Sequence, residues 1–492
     1  MSPPSEIRVR IAPSPSGFLH VGTARTSVYN WLFARHHHGK FILRIEDTDL
    51  ERSDPKMVEA ILEGLRWLGL SWDEEPYYQS KRFEVYPSYA EKLLKRGKAY
   101  HCYCSPELLK QKREEAIKEK RPVKYDRHCL HLSDEEKKRL KGQAVLRATR
   151  LKVAPGETQF KDVVYGDLSY DNADIEDFII MRSDGRPTYN FACVVDDYEM
   201  RISHVIRGND HIPNTYKQLL LYEALGITPP QFAHLPLSLG IDRSKISKRD
   251  GAVAITDYRQ MGFLPEAVVN FLALLGWSPG DDREVMSTSE LIETFSLERV
   301  SQSNPVFDIE KLKWMNGEHI RSKGDNELVP AVAPFLIEAS LTTKLGVEIR
   351  WEYMKKVVGL LKERCRLLTD FAALGRYFFT DKFDYNPDGA KKHFFSPDID
   401  RHLATLAERY SSLQKFDLEA IESGLRNLAE ELGISAAKLI HPTRLATTGM
   451  TKGPSLFEIL EVLGQEEVVK RLRRALEFIR GNPGLADRTD SG

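Results

Sequence analysis

The hydrophobic and polar positions at the start of the chain alternate and then change their period. Residues 7–12 alternate apolar and charged side chains, which predicts a strand, and residues 21–35 place apolar side chains at helical spacing. Residues 41–45 alternate again and predict a second strand. Ser53-Asp54-Pro55 then supplies a capping side chain and an N-terminal proline for a second helix. This succession of strand, helix, strand and helix predicts a parallel α/β sheet.

The pattern changes twice farther along the chain. Residues 101–180 interrupt the α/β rhythm with a run rich in lysine and glutamate and with closely spaced cysteines. The α/β pattern returns over residues 181–255, and the signals beyond residue 256 are almost all helical. We therefore predict an α/β domain in two halves, 1–100 and 181–255, with an insertion at 101–180. Two helical regions, 256–325 and 326–492, follow.

Composition narrows the class of protein. The 492 residues carry 71 lysines and arginines against 72 aspartates and glutamates, a formal charge of −1. This balance excludes a histone-like polycation but allows a local basic patch. No apolar run approaches the length of a membrane span, and the first residues lack the pattern of a signal peptide. Five cysteines are too few for a secreted disulfide scaffold, so we expect a cytoplasmic protein that does not bind membranes.

A loop between the first strand and the first helix has the features of a phosphate site. It runs from residue 13 to residue 22 and contains Gly17, His20 and Gly22. A loop that opens a helix in an α/β unit offers free backbone N–H groups and the positive end of the helix dipole. His20 can donate to phosphate oxygens, and Gly22 lets a nucleotide approach the backbone. The alternative is a plain linker in which His20 only caps the helix.

A short basic loop forms the second candidate site. Ser244-Lys245-Ile246-Ser247-Lys248-Arg249 combines three cations with small hydroxyl side chains. Mobile cations of this kind suit a polyphosphate leaving group, because they can stabilise charge that develops only in the transition state. The alternative is a solvated surface loop.

Together the two loops resemble the HIGH and KMSKS signatures of class I aminoacyl-tRNA synthetases, with Val21 and Ile246 as mild departures. Further segments resemble the bacterial glutamyl-tRNA synthetases, and the resemblance extends from about residue 7 to residue 480. These segments are 10–17, 44–49, 187–191, 194–197, 205–208, 312–317 and 442–446.

The resemblance implies a Rossmann-type catalytic domain with an insertion that grips the tRNA acceptor end. A helical stem-contact domain (256–325) and an all-α anticodon-binding region (326–492) would follow. The implied reaction is ATP- and Mg²⁺-dependent activation of L-glutamate to glutamyl-adenylate, then transfer to the 3′ end of tRNA(Glu). The implied catalytic residues are His20, Gly22, Lys245 and Lys248. The implied ATP-binding residues are Gly17, His20, Gly22, Ser247 and Lys248.

The residue types also fit glutamate recognition. Arg10 and Arg207 can give charge-assisted hydrogen bonds to the γ-carboxylate, and Glu46 can pair with the α-ammonium group. By resemblance, Ala12, Ser14 and Tyr189 complete the glutamate site. The alternative for each arginine is a structural ion pair.

The cysteines of the insertion form a candidate zinc site. Cys102, Cys104, Cys129 and His131 follow the pattern C-x-C-x24-C-x-H. Three thiolates and one imidazole make a closed tetrahedral set for structural Zn²⁺. The pattern also resembles the zinc site of some bacterial glutamyl-tRNA synthetases. The alternative is reduced cysteines without a metal.

The helical C-terminal region carries a basic stretch that predicts phosphate contacts. Its residues are Lys355, Lys356, Lys362, Arg364, Arg366 and Arg376. By resemblance, Arg364 is the residue that reads an anticodon base. The C-terminal third has few predicted strands, which argues against a glutaminyl-tRNA synthetase. The presence of this helical third argues against a truncated relative that lacks it. Intact His20 and Lys248 oppose a catalytically inactive RNA-binding paralogue. Whether tRNA(Gln) is also charged stays open, and we expect a monomer.

Overall fold

The computed structural model describes residues 6–49, 51, 53–143, 145–244 and 254–482. The chain divides into two compact units. The first is Met1–Arg259 with Pro265–Leu312, and the second is Gln260–Leu264 with Lys313–Gly492.

The first unit contains two sheets. The strands of these sheets are β1 Arg8–Ile11, β2 Lys40–Ile45, β3 Tyr77–Tyr78, β4 Ala99–Cys102, β5 Ala148–Leu151, β6 Glu157–Asp162, β7 Gly166–Asp171, β8 Ile179–Met181, β9 His204–Gly208 and β10 Gln231–Leu235. The larger sheet has the strand order β3-β2-β1-β9-β10-β6-β7, and the smaller has the order β4-β5-β8.

Helices connect these strands and follow them. Their bounds are α1 Val21–His36, α2 Pro55–Trp67, α3 Tyr86–Lys95, α4 Pro106–Lys118, α5 Asp134–Gly142, α6 Tyr189–Glu199, α7 Ile212–Leu225, α8 Ile255–Gln260, α9 Pro265–Leu274, α10 Thr288–Thr294 and α11 Ile309–Ser322.

The predicted parallel α/β sheet is confirmed. Strand β1 pairs in parallel with β2 and β9, and β9 pairs in parallel with β10. Five of the six residues of β2 are buried, as expected for a strand covered on both faces. Because parallel strands end at the same edge, the loops that follow β1, β2, β9 and β10 meet there. This edge is where α/β sheets bind their ligands.

The predicted insertion is not structurally separate along its whole length. Strands β4, β5 and β8 form the smaller antiparallel sheet, but the hairpin β6–β7 extends the larger sheet beyond β10, with Phe232 opposite Asp162. Apolar side chains of the insertion, such as Leu151 and Ile175, pack in the same core as Phe191 and Val205. The insertion therefore contributes to the core of the catalytic unit.

The second unit is helical. Besides residues 313–322 of α11, its helices are α12 Asp325–Glu338, α13 Lys344–Ile349, α14 Trp351–Leu361, α15 Asp370–Leu374, α16 Pro387–His393, α17 Ile399–Ser411, α18 Leu418–Glu431, α19 Ala437–Thr448, α20 Leu456–Leu463 and α21 Gln465–Gly481. Over 313–482 the structure has no strand, which confirms the predicted all-α region. Helices α16 to α21 share one core of leucine, isoleucine and aromatic side chains. In the described ranges, no helix combines the length and apolarity needed to cross a membrane.

Candidate active site

A cavity of about 580 Å³ lies at the carboxyl ends of β1, β2, β9 and β10. Eight of the residues predicted from the sequence line this one cavity, although they come from segments almost 200 positions apart. They are Arg10, Ala12, Ser14, His20, Gly22, Glu46, Tyr189 and Arg207.

His20 both caps α1 and lines the cavity, so the capping role does not exclude a catalytic one. Its Nδ1 accepts from the backbone N–H of Thr23 at 3.4 Å. Ala254, the first described residue after the basic loop, pairs with His20 as an isolated antiparallel bridge. Residue 254, where the described chain resumes after the basic loop, therefore lies beside the first loop.

The other nucleotide-site predictions differ in outcome. Gly22 lies beside the ring of His20 at the cavity wall. Gly17 lies in an exposed turn and does not line the cavity. Lys245, Ser247 and Lys248 lie outside the described residues.

Four charged side chains form a chain of hydrogen bonds next to the cavity, in which Arg10 and Glu46 line the cavity and Arg44 and Asp197 lie behind them. Arg10 donates from Nε to Asp197 Oδ1 at 3.0 Å, and Arg44 donates from Nη1 to the same oxygen at 2.6 Å. Arg44 also donates to Glu46 Oε1 at 3.1 Å. Burial raises the pKa of Asp197, but the two guanidinium charges outweigh burial and hold this pKa below its usual value. The formal charges of the two guanidinium groups and the two carboxylates cancel, so these four side chains together carry no net charge.

Arg207 has a different environment. It is buried, and it donates from Nη2 to Thr215 Oγ1 at 2.6 Å and to Gln218 Oε1 at 2.8 Å. Its Nη1 is buried, and no group in the described part of the chain accepts from it. A buried donor without an acceptor costs free energy. Arg207 therefore has a free donor and no carboxylate in hydrogen-bond contact, as a site for an anionic ligand requires.

Sequence reasoning missed His211, which also lines the cavity. The Oη of Tyr189 lies 3.1 Å from Nδ1 of His211. Burial, reinforced by the charge of Arg207, lowers the pKa of His211 to about 4. The imidazole is therefore neutral near pH 7. Its position shortly after the end of β9, at the binding edge of the sheet, is the signal that could have revealed it.

Comparisons with known proteins agree with this geometry. The family described as tRNA synthetases class I (E and Q), catalytic domain, matches residues 6–314. The chain belongs to this family. An anticodon binding domain matches residues 327–476.

Relatives of this class I synthetase match it over nearly its full length. It is 48% identical over 479 residues to glutamate–tRNA ligase 1 of Caldanaerobacter subterraneus subsp. tengcongensis, covering 97% of this chain and 99% of the relative. It is 46% identical over 487 residues to the glutamate–tRNA ligase of Moorella thermoacetica, with the same coverage. A crystal structure of a glutamate tRNA ligase from Elizabethkingia meningosepticum, in complex with its amino acid, matches with a TM-score of 0.89 at 35% identity. That match covers 96% of this chain and 100% of the other.

In the synthetase's insertion, three of the four predicted zinc ligands come together. The Sγ atoms of Cys102, Cys104 and Cys129 all lie within 4.8 Å of one another. His131 is exposed and is not part of this group of ligand atoms. The hydroxyl of Tyr125 lies 3.5 Å from Cys102 Sγ and 3.6 Å from Cys104 Sγ. The structure thus places a tyrosine oxygen, which the sequence pattern did not indicate, beside the thiols.

The synthetase's basic stretch is only partly paired. Lys355 pairs with Glu352 and Lys362 with Asp325, each at an N–O distance of 2.8 to 2.9 Å. Arg364 is exposed in the turn after α14. The remaining predicted phosphate contacts are also exposed: Lys356, Arg366 and Arg376.

Proposed function

We propose that this chain is a glutamate–tRNA ligase that uses the cavity to activate L-glutamate. The observation that carries the proposal is the buried guanidinium of Arg207 at the cavity. Its Nη1 has no hydrogen-bond acceptor among the described residues. A carboxylate can accept from that nitrogen in a charge-assisted hydrogen bond. The curated relatives that match over 97% of the chain carry the same activity in their names.

The reaction has two steps. An α-carboxylate oxygen of glutamate attacks the α-phosphorus of ATP, the bond to the β-phosphate oxygen breaks, and pyrophosphate leaves. A hydroxyl of the terminal ribose of tRNA then attacks the activated carbonyl carbon, and AMP leaves. Neither step needs a nucleophilic side chain. Mg²⁺ bound together with ATP would neutralise part of the phosphate charge.

The glutamate would lie between Arg207 and Glu46. Arg207 would bind the γ-carboxylate, with Arg10 as a second cation whose charge Asp197 largely compensates. Glu46 would bind the α-ammonium group through its carboxylate, which Arg44 holds in place. Ala12, Ser14 and Tyr189 would line the rest of the amino-acid site.

The nucleotide would lie against the first loop. His20 and Gly22, with Gly17 nearby, would contact the ATP phosphates. Lys245, Ser247 and Lys248 would stabilise the leaving pyrophosphate from the basic loop. The bridge between Ala254, the first described residue after this loop, and His20, which lines the cavity, supports the assignment.

We also propose one structural Zn²⁺ per chain, held by Cys102, Cys104 and Cys129. Tetrahedral zinc with sulfur ligands at about 2.3 Å separates the ligand atoms by about 3.5 to 3.8 Å. Cys104 Sγ and Cys129 Sγ are 3.5 Å apart, and the Tyr125 oxygen lies at similar distances from two thiols. This spacing supports Tyr125 as the fourth ligand, with His131 as the alternative.

The macromolecular substrate would be tRNA(Glu), with Arg364 contacting its anticodon. The alternative that also charges tRNA(Gln) is the second candidate. We further propose a cytoplasmic monomer. Charging assays with labelled glutamate and the two purified tRNAs test these points. Glutamylation of tRNA(Glu) supports the proposal, glutamylation of both tRNAs supports the alternative, and no charging with either would overturn it.

A further inference from the structure

The orientation of Arg207 is set by neutral side chains. Thr215 and Gln218 accept from its Nη2, and His234 Nε2 lies 3.3 Å from its Nε. His234 is fully buried and stands directly opposite Arg207 on the neighbouring strand β10. A guanidinium has only donors and keeps its charge, so each of its neighbours must act as an acceptor. His234 can do this in only one protonation state.

Asp162 fixes that state. Its Oδ2 lies 2.7 Å from His234 Nδ1, so the imidazole carries its proton on Nδ1 and leaves Nε2 as an acceptor. Asp162 also accepts from the backbone N–H groups of Val164 and Tyr165, each at 2.9 Å. Burial lowers the pKa of His234, and the charge of Arg207 adds to this effect against the opposing influence of Asp162.

We propose that His234 is a positioning residue of the amino-acid site. Asp162, His234 and Arg207 stand on the neighbouring strands β6, β10 and β9. Asp162 fixes the tautomer of His234, and His234 holds Nε of Arg207. Nη1 then stays available to the carboxylate of the amino acid. This inference rests on the proposed role of Arg207 and adds a residue that does not line the cavity.

Nε2 of His234 lies 3.3 Å from Nε of Arg207 and 2.9 Å from Oγ1 of Thr215, which itself accepts from Arg207. Two substitutions of His234 separate these contacts from the hydrogen bond to Asp162. His234→Asn places a donor near Asp162 but removes the acceptor for Arg207 and Thr215, whereas His234→Gln can place an acceptor oxygen near the position of Nε2. Pyrophosphate exchange with glutamate and tRNA gives the KM for each substrate. We expect His234→Asn to raise the KM for glutamate about tenfold, because a hydrogen bond to a charged group is lost. His234→Gln should raise it less, and the KM for ATP should not change.

His204→Asn is the matched control. His204 is a buried histidine at the start of β9 whose Nδ1 contacts Ser203, and it does not line the cavity. This variant should keep the wild-type KM for glutamate. An equal rise in His204→Asn would show that any loss of a buried histidine perturbs the sheet, and would overturn the inference.

A double-mutant cycle with Arg207→Ala tests the connection between the residues. His234→Asn should add no further rise in the KM for glutamate when Arg207 is already absent. If Arg207→Ala leaves this KM unchanged, the proposed role of Arg207 fails. If Arg207→Ala raises it but His234→Asn has no effect, or has the same effect in both backgrounds, the positioning role fails. If His234→Asn does not fold, the isosteric variant Asp162→Asn replaces it. We expect this variant to raise the KM for glutamate and to leave the KM for ATP unchanged. An unchanged KM for glutamate would overturn the inference.

Discussion

The imidazole of His20 lies against Gly22. A Cβ atom on residue 22 would be 3.2 Å from Cε1 and 3.3 Å from Nδ1 of His20. These distances are shorter than ordinary carbon contacts, so any larger residue forces the imidazole to move. Gly22 therefore leaves the space in which His20 can cap α1 and line the cavity at the same time.

Gly22→Ala should lower kcat for pyrophosphate exchange about tenfold, because the imidazole of His20, which we propose to be catalytic, would be displaced by a fraction of an ångström and lose its alignment. Gly142→Ala is the control, since residue 142 lies outside the proposed site and a Cβ there meets nothing within 4 Å. We expect the control to lose much less activity. Equal losses in both variants would show that the effect does not depend on the ring of His20.

Lys248→Ala should lower kcat for adenylate formation about a hundredfold, the usual cost of losing one group that stabilises transition-state charge. The KM for glutamate should change little, because the lysine would face the leaving pyrophosphate and not the amino acid. Pre-steady-state pyrophosphate exchange separates the two effects. A wild-type kcat in this variant would contradict the assigned role.

Metal analysis of protein purified without chelator should find about one zinc per chain. Cys129→Ser should lose the zinc, because one of three clustered thiols is removed. Binding of the tRNA acceptor end should weaken, whereas the KM for ATP should stay the same. Finding no zinc in the wild-type protein would contradict the metal site outright.

Tyr125→Phe and His131→Ala identify the fourth ligand. If the tyrosine oxygen binds zinc, Tyr125→Phe should weaken zinc retention against a competing chelator, and His131→Ala should retain zinc like the wild type. The reverse result would assign the fourth position to the histidine. Equal retention in both variants would indicate that water completes the tetrahedron.

His204 should contribute to the pH dependence of stability. Burial lowers its pKa to about 4, whereas an unfolded histidine titrates near 6.5. The unfolded chain therefore binds more protons between these values, and the folded state loses stability as pH falls from about 6.5 to about 4. Thermal melts of the wild type and His204→Asn across this range should show a shallower pH dependence in the variant. Parallel curves would mean that His204 is not the titrating group.

The parts of the fold that depend on local pattern could be predicted from the sequence. The alternation at residues 7–12 corresponds to β1, and Ser53-Asp54-Pro55 begins α2. Arg10, Glu46 and Arg207 line one cavity because they stand at the ends of parallel strands, which meet at one edge. The motifs were enough to find these residues without knowing their contacts.

The pairing of buried charges could not be predicted. Arg10 and Arg207 have the same residue type and similar positions on strands, yet only Arg10 contacts a carboxylate. That partner, Asp197, lies 187 positions away on α6. Tyr125 was missed for a related reason, since a tyrosine between two cysteines has no metal-ligand pattern of its own. Such contacts depend on packing between distant elements, which residue spacing does not encode.

The KM for glutamate in Arg207→Ala tests the central claim most directly. We expect pyrophosphate exchange with glutamate and tRNA to show a rise in this KM of about thirtyfold or more, because a buried carboxylate loses its charged partner. The KM for ATP should stay near wild type. The melting temperature should fall, because Thr215, Gln218 and His234 lose their hydrogen bonds to Arg207. Arg10→Ala should also lower the melting temperature, because Asp197 loses one of its two cations. An unchanged KM for glutamate in Arg207→Ala would contradict the proposal that this cavity selects the amino acid.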